Sequence, residues 1–325
     1  MRSCSVFARI LTIGVLWAFS GTLSAQQDYP SQPIRFITPY PPGGSTTYLS
    51  RLVGQKLTEA WGQQVIVDNR GGGNTIIGVQ ELVKSPPDGY TILLAGSAQT
   101  GLPHLYRELP FDVLKDLAPV ATIAISPQLL TINPSIPAKD LKEFIAYAKS
   151  KPGELNFATS STGGPTHLAA VQFEMLTGAK LQHVPYKGAG PTIIDLMGGQ
   201  VQLFFSVPVN VLSHIKAGRL RGLAITGKHR METLPDVPTF AEAGLPGLDV
   251  ETWYGITAPA ETPKHIIEKL SVEVGKILAM SDIKEKLASQ GMLPFISTPE
   301  QMAAMMKEEM VKQGELIKAG HIAIN

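Results

Sequence analysis

A single cysteine, Cys4, occurs in 325 residues. That excludes a disulfide framework and any zinc site built on several cysteines. Charge is also sparse: 28 Lys and Arg stand against 27 Asp and Glu, and charged residues make up 17% of the chain. A formal net charge of +1 supplies no basic surface for nucleic acid. Catalytic signatures are missing too. There is no G-x-S-x-G nucleophile elbow, no Walker A sequence and no H-E-x-x-H. The segment 71–78 (GGGNTIIG) misses the dinucleotide-binding spacing and reads as a tight turn into a helix. The seven histidines, at 104, 167, 183, 214, 229, 265 and 321, form no helical ligand pair. His183 falls in a strand pattern and reads as a packed or hydrogen-bonded histidine. No cofactor and no metal are expected.

What is present is apolar material. Hydrophobic residues make up 44% of the chain, enough for a sizeable core, and the length suits two domains. Arg2 and Arg9 open the chain, residues 10–19 (ILTIGVLWAF) carry no charge, and small residues lead to Ala25. This is the order of a secretory signal peptide, with cleavage expected near Ala25. Removing Arg2 and Arg9 leaves 26 basic against 27 acidic residues, a mature charge of −1. No later run is long and apolar enough to cross a bilayer, so the mature chain is expected without membrane insertion.

Hydrophobic periodicity then alternates. Residues 34–40 (IRFITPY) read as a buried strand, followed by a Pro-Gly-rich turn. Leu49, Leu52, Val53, Leu57 and Trp61 next recur at helical spacing, with Ser45 or Thr46 as the N-cap. Further strands are expected at 64–69, 91–96, 129–133, 155–160, 182–186, 203–206 and 220–226. Helices are expected from the turn at 71–73 through Leu82, at 140–150 and at 167–177. The β-α-β-α-β order implies a parallel sheet with helices on its faces. The last third reads as helical, with Thr262-Pro263 and Thr298-Pro299 as helix starts, and Thr298 with Gln301 fits a capping box. Met302, Met305 and Met306 form a packing stripe.

Two loops look alike: 42–47 (PGGSTT) and 160–165 (SSTGGP). Each joins a strand end to a helix start with glycines and small hydroxyls. Helix N-termini carry unpaired N–H donors and positive partial charge, so two facing loops could hold a carboxylate like a pincer. Spacing alone is equally satisfied by plain capping turns.

Longer-range matches separate these readings. They include Tyr29-Pro30 with Pro33-Ile34-Arg35, and Pro42-Gly43-Gly44-Ser45-Thr46 followed by Arg51. Val67-Asp68-Asn69-Arg70, Pro87-Asp88-Gly89-Tyr90-Thr91 and Gly163-Gly164 with His167-Leu168 come next. His183-Val184-Pro185-Tyr186-Lys187-Gly188, Ala217-Gly218-Arg219-Leu220-Arg221 with Leu223-Ala224, Leu234-Pro235-Asp236-Val237-Pro238-Thr239, and Pro259 with Thr262-Pro263 complete the series. In this order and spacing the chain resembles the substrate-binding receptors of tripartite tricarboxylate transporters, the Bug family, from about residue 29 to about 300.

The resemblance implies an α/β periplasmic-binding-protein-like fold (type II) of two domains, with the ligand in the cleft between them. By analogy domain 1 takes residues 26–124 plus 227–325, and domain 2 takes 125–226. It implies a monomeric periplasmic receptor, not an enzyme, that passes a small organic carboxylate to the transporter's membrane subunits. Carried over residue by residue, the ligand set is Tyr40, Pro42, Gly43, Gly44, Ser45, Thr46 and Thr47 on one side. Ser161, Thr162, Gly163 and Tyr186 face them, with Ser97 and Ser206 alongside. The family commonly has Asp where Thr47 stands, which favours a plain mono- or dicarboxylate or an aromatic acid over a ligand with an ammonium group. Lys187 is expected to be structural. Gly44 is expected to admit the ligand to the backbone, where a side chain would block it and strain the turn. A hydrolytic enzyme and a ligand sensor for a membrane kinase are the rival readings; Ser161 near His167 is too generic to define a nucleophile and base.

Overall fold

The computed structural model describes residues 29–322. The expected leader and its cleavage site lie outside the described residues. By contact the chain divides at Ser31 and Gln32, and both of its sheets lie in the part that begins at Gln32.

The chain opens with β1 (Ile34–Thr38), α1 (Ser45–Trp61), β2 (Val65–Asn69), α2 (Ile76–Val83), β3 (Thr91–Gly96), α3 (Ser97–Leu105) and β4 (Leu117–Pro127). It continues with β5 (Leu129–Ile132), α4 (Leu141–Ser150), β6 (Asn156–Thr159), α5 (Pro165–Thr177), β7 (Gln182–Pro185), α6 (Ala189–Met197), β8 (Leu203–Ser206), α7 (Pro208–Lys216) and β9 (Arg221–Ile225). It ends with β10 (Glu251–Pro259), α8 (Lys264–Ala279), α9 (Ser281–Ser289), β11 (Leu293–Pro294) and α10 (Pro299–Ala319).

The first sheet runs β11-β4-β10-β3-β1-β2 and the second β7-β6-β8-β5-β9. The two share one plan. In the first, β1 lies between β2 and β3, parallel to both, and β10 inserts antiparallel between β3 and β4. In the second, β6 lies between β7 and β8, parallel to both, and β5 inserts antiparallel between β8 and β9. Each sheet therefore has a switch point where successive connections leave in opposite directions, between β1 and β3 and between β6 and β8. Ligands of open α/β sheets sit beyond the carboxyl ends of strands at such points.

β1, β2 and β3 pair in parallel, as the β-α-β-α-β order implies, and β10 and β5 add antiparallel strands. The expectation of a helical last third is corrected by β10. Glu251–Pro259 is rich in β-branched and aromatic residues, which suit a central strand. Thr298 caps α10 with Gln301 in a capping box, as its spacing predicts. Thr262 does not cap α8: it is buried, and its hydroxyl donates back to the Pro259 carbonyl at 2.7 Å. The α1 N-cap is Gly44, one residue earlier than expected, and no side chain caps it. Ser45 and Thr46 are thus inside the first turn, with their hydroxyls free for other work.

Buried apolar side chains hold each sheet to its helices. Ile37, Leu82, Leu93, Leu102, Trp253, Met302 and Met306 cluster on the first, so the methionine stripe is packing. Phe144, Phe157, Phe173, Phe205 and Phe240 anchor the second. The chain crosses between sheets after Pro127 and returns before Glu251. Gln128 N–H donates to Thr226 Oγ1 at 2.8 Å, Thr226 N–H donates to the Gln128 carbonyl at 2.8 Å, and Thr226 Oγ1 donates to the Val250 carbonyl at 2.9 Å. These bonds tie the outgoing and returning segments together. Residues between Thr226 and Glu251, among them Leu234, Val237, Phe240 and Leu248, pack into the cores of the second sheet.

Candidate functional site

The two switch points open on one pocket. From the first sheet come Tyr40 and Pro41 after β1, Leu94, Ala95 and Gly96 at the end of β3, and Thr252 and Tyr254 on β10. From the second come Ser160 and Ser161 after β6 and Val207 after β8. Helix starts fill the remaining wall: Gly44, Ser45 and Thr46 for α1, Ser97, Ala98 and Gln99 for α3, Pro165 and Thr166 for α5, Ala189 for α6 and Asn210 for α7.

This convergence dictates the electrostatics. The first turns of a helix leave backbone N–H groups unpaired and carry positive partial charge. None of these five helices has an acidic residue in its first turn. No lining residue carries a formal charge. The pocket thus combines positive helix ends with neutral hydroxyls, and nothing in its wall neutralises them. Such a site favours an anion over a cation.

Hydrogen bonds fix the hydroxyls. Tyr254 O–H donates to Ser45 Oγ at 2.9 Å. Ser97 Oγ accepts from the Trp253 N–H at 3.0 Å, and the Ser97 carbonyl accepts from Gln313 Nε2 at 2.8 Å. Gly96 N–H donates to Gln99 Oε1 at 2.7 Å, which anchors the start of α3. The Tyr40 and Ser161 hydroxyls meet across the pocket; burial pushes the Tyr40 phenol up to about 12. Burial likewise raises the Tyr254 phenol. Both stay protonated and serve as donors at neutral pH.

Of the residues picked from sequence, Tyr40, Gly44, Ser45, Thr46, Ser97 and Ser161 line this pocket. The others lie around it. Pro42 and Gly43 are exposed on the adjoining turn. Thr47 is buried and turned away, its hydroxyl accepting from Asn69 Nδ2 at 2.9 Å. The neutral residue at that position therefore does not set the charge of the pocket wall. The Thr162 carbonyl accepts from Asn74 Nδ2 at 2.9 Å, which ties the 160–165 loop to the glycine turn after β2. Gly163 N–H donates to His167 Nδ1 at 3.1 Å. Tyr186 donates to Asp195 Oδ2 at 2.6 Å. Ser206 is fully buried and accepts from Asn210 Nδ2 at 3.2 Å. Lys187 is exposed outside the lining.

Sequence reading missed Gln99, Ser160, Thr166, Asn210, Thr252 and Tyr254. Gly96 followed three residues later by Gln99 is a helix-start signal after a strand, and it points to the α3 wall. Asn210, Thr252 and Tyr254 carry no local signal.

His167 holds the second loop rather than addressing Ser161. Its Nδ1 takes the Gly163 N–H, and its ring stacks on His183 at 4.0 Å, which stacks on Phe157 at 5.0 Å. Burial lowers His167 to about 3, helped by His183, and lowers His183 to about 4. Both rings are neutral at pH 7. His183 Nε2 and Thr159 Oγ1 share a 2.7 Å hydrogen bond, as expected for a packed strand histidine.

Comparison with known proteins places this geometry. The TctC family, described as the tripartite tricarboxylate transporter family receptor, matches residues 49–322. Protein BugT of Bordetella pertussis is 36% identical over 314 residues, covering 95% of this chain and 96% of that protein. The solved structure of R. palustris Rpa4515 with adipate superposes with a TM-score of 0.89 at 32% identity, covering 91% of this chain and all of that one. The structure of the periplasmic binding protein BugD superposes at 0.86 with 29% identity, over 91% of this chain and all of that one. Among the described residues no helix is long and apolar enough to cross a membrane. The chain belongs to the tripartite tricarboxylate transporter receptor family and has the two-sheet α/β fold of its periplasmic binding proteins.

Proposed function

We propose that this chain is a periplasmic receptor that captures a small dicarboxylate and presents it to the membrane subunits of a tripartite tricarboxylate-type transporter. The observation that carries the reading is the meeting of five helix N-termini on one pocket whose lining bears no charge. Adipate in the related R. palustris protein sets the chemical class, a flexible acid with a carboxylate at each end. One carboxylate takes the N–H groups at the start of α1 and the hydroxyls of Tyr40, Ser45 and Ser161. The other end reaches toward the start of α3 at Ser97. Pro42, Gly43, Thr162 and Gly163 shape the turns, and Tyr186 and Ser206 support them from behind.

The lobes divide where the chain crosses between sheets: 32–127 with 251–322, and 128–250. The ligand bridges them, and closure follows binding because both walls are needed to satisfy it. The leader-like first 25 residues direct export, with the mature protein acting as a monomer. The function is capture without turnover: the Ser161 hydroxyl serves the ligand, and His167 Nδ1 takes the Gly163 N–H at 3.1 Å.

A thermal-shift screen of organic acids tests the reading, because a ligand that binds only the folded chain raises its melting temperature. Dicarboxylates of four to eight carbons should raise it, and amines and neutral sugars should leave it unchanged. A panel in which no dicarboxylate shifts the protein would defeat the proposal.

A further inference from the structure

Asn210 stands on α7, on the side of the second sheet, yet its contacts run in two directions. Its Oδ1 accepts the Ser45 N–H from across the pocket at 2.9 Å, between residues 165 positions apart. Its Nδ2 donates to Ser206 Oγ at 3.2 Å, and Ser206 is fully buried within its own lobe. The second contact orients the first. Turning the amide over would face an NH2 against the Ser45 N–H, two donors without an acceptor. Ser45 is held in turn by Tyr254, whose hydroxyl donates to its Oγ at 2.9 Å.

We propose that Asn210 is the latch of the closed receptor: its amide oxygen takes the first N–H of α1 and joins the two lobes beside the ligand. The inference rests on the receptor reading above. It differs from a ligand contact in what it occupies. The Ser45 N–H is used by the protein itself, which leaves the Thr46 and Thr47 N–H groups as the α1 donors for a bound carboxylate. Opening the cleft breaks the Ser45 contact, so it forms only with closure. A neutral acceptor is required at this place. An amide oxygen satisfies one donor and leaves the helix end positive, whereas a carboxylate there would neutralise the end and repel an anionic ligand.

The test follows adipate and succinate binding to the full mature chain by calorimetry and stopped-flow kinetics, with melting curves alongside. Asn210→Ala should weaken the tighter diacid about tenfold, or ~1.4 kcal/mol, through faster dissociation and not slower association. Asn210→Asp is nearly the same size and keeps the acceptor. It should hold or raise the melting temperature while weakening both diacids at least a hundredfold. Variants that bind and dissociate like the unmodified protein overturn the latch while leaving the receptor reading intact. A lower melting temperature with unchanged dissociation marks Asn210 as a packing residue of α7 and also overturns it. If the unmodified protein binds neither diacid, the dicarboxylate reading falls and the latch with it.

Discussion

Gly164 is the N-cap of α5, with φ −81° and ψ 177°, a backbone that alanine adopts without strain. Its constraint comes from a neighbour. A methyl at Gly164 would lie 3.3 Å from Ser161 Cβ and 3.5 Å from Ala98 Cβ, and would overlap Ser161 Oγ outright. Gly164→Ala must therefore turn the Ser161 hydroxyl out of its rotamer and away from the Tyr40 hydroxyl. Turning the Ser161 hydroxyl away removes one donor for the bound carboxylate, which costs about 1 to 2 kcal/mol, or roughly five- to thirtyfold in diacid affinity. A further cost of about 0.5 to 1 kcal/mol falls on stability, because alanine is a poor N-cap. Ser161→Ala removes the overlapping atom. The assay is a double-mutant cycle read by calorimetric titration with adipate. If the mechanism is right, Gly164→Ala lowers affinity in the natural background and changes it little once Ser161 is alanine. An equal loss in both backgrounds would refute the steric argument and leave the Tyr40–Ser161 pair without a role in binding.

Three more outcomes follow. Gly43 has φ +98° and nothing within 4 Å of an added Cβ, whereas Gly44 has an ordinary φ of −108° and would meet Ala189 Cβ at 3.7 Å. Gly43→Val should thus cost about 1 to 2 kcal/mol of stability in denaturant melts with little direct effect on the pocket; Gly44→Val should melt near the natural temperature but bind adipate at least tenfold more weakly, since its methyls enter the wall between α1 and α6. His167 and His183 are lowered to about 3 and about 4 by burial, against roughly 6.5 unfolded. The unfolded chain binds their protons first, so their contribution is full above pH 6.5 and declines as pH falls toward 4, by at most about 1.4 kcal/mol per pH unit for each ring and less for the partly exposed His183. Denaturant melts at pH 7 and pH 5 should show this decline and His183→Gln should reduce it; flat stability over that interval contradicts it. Small-angle scattering should give a smaller radius with saturating adipate than without it, and an unchanged radius would count against closure.

The parts of the site legible in sequence were those made by one contiguous segment. Each strand–glycine–hydroxyl–helix run, at 42–47 and 160–165, announces a helix start at the end of a buried strand and contains Ser45, Thr46 and Ser161, whereas Tyr40 came from the family resemblance. Ser45 lines the pocket because Gly44 takes the N-cap position from it, a one-residue shift that periodicity does not resolve. Tyr186 follows β7, the edge strand, and turns its hydroxyl to Asp195, while Ala189 supplies the wall from the same segment. Strand order is a property of the assembled sheet, and the alternation of strand and helix leaves it open. Tyr254 and Thr252 were missed because β10 enters the first sheet from 124 residues beyond the end of β4, antiparallel to both neighbours. Asn210 has no motif at all: its role depends on two lobes meeting.

The central claim is that helix N-termini and neutral hydroxyls select a carboxylate without any basic side chain. Calorimetric titration of the purified mature protein with adipate and with adipamide, its uncharged diamide, tests this most directly. The two ligands share length and shape and differ in charge and in the donors that the amide adds. One adipate should bind per chain, and the diamide at least a hundredfold more weakly, a difference of about 2.8 kcal/mol. Equal affinity for the two, or preference for the diamide, would contradict it.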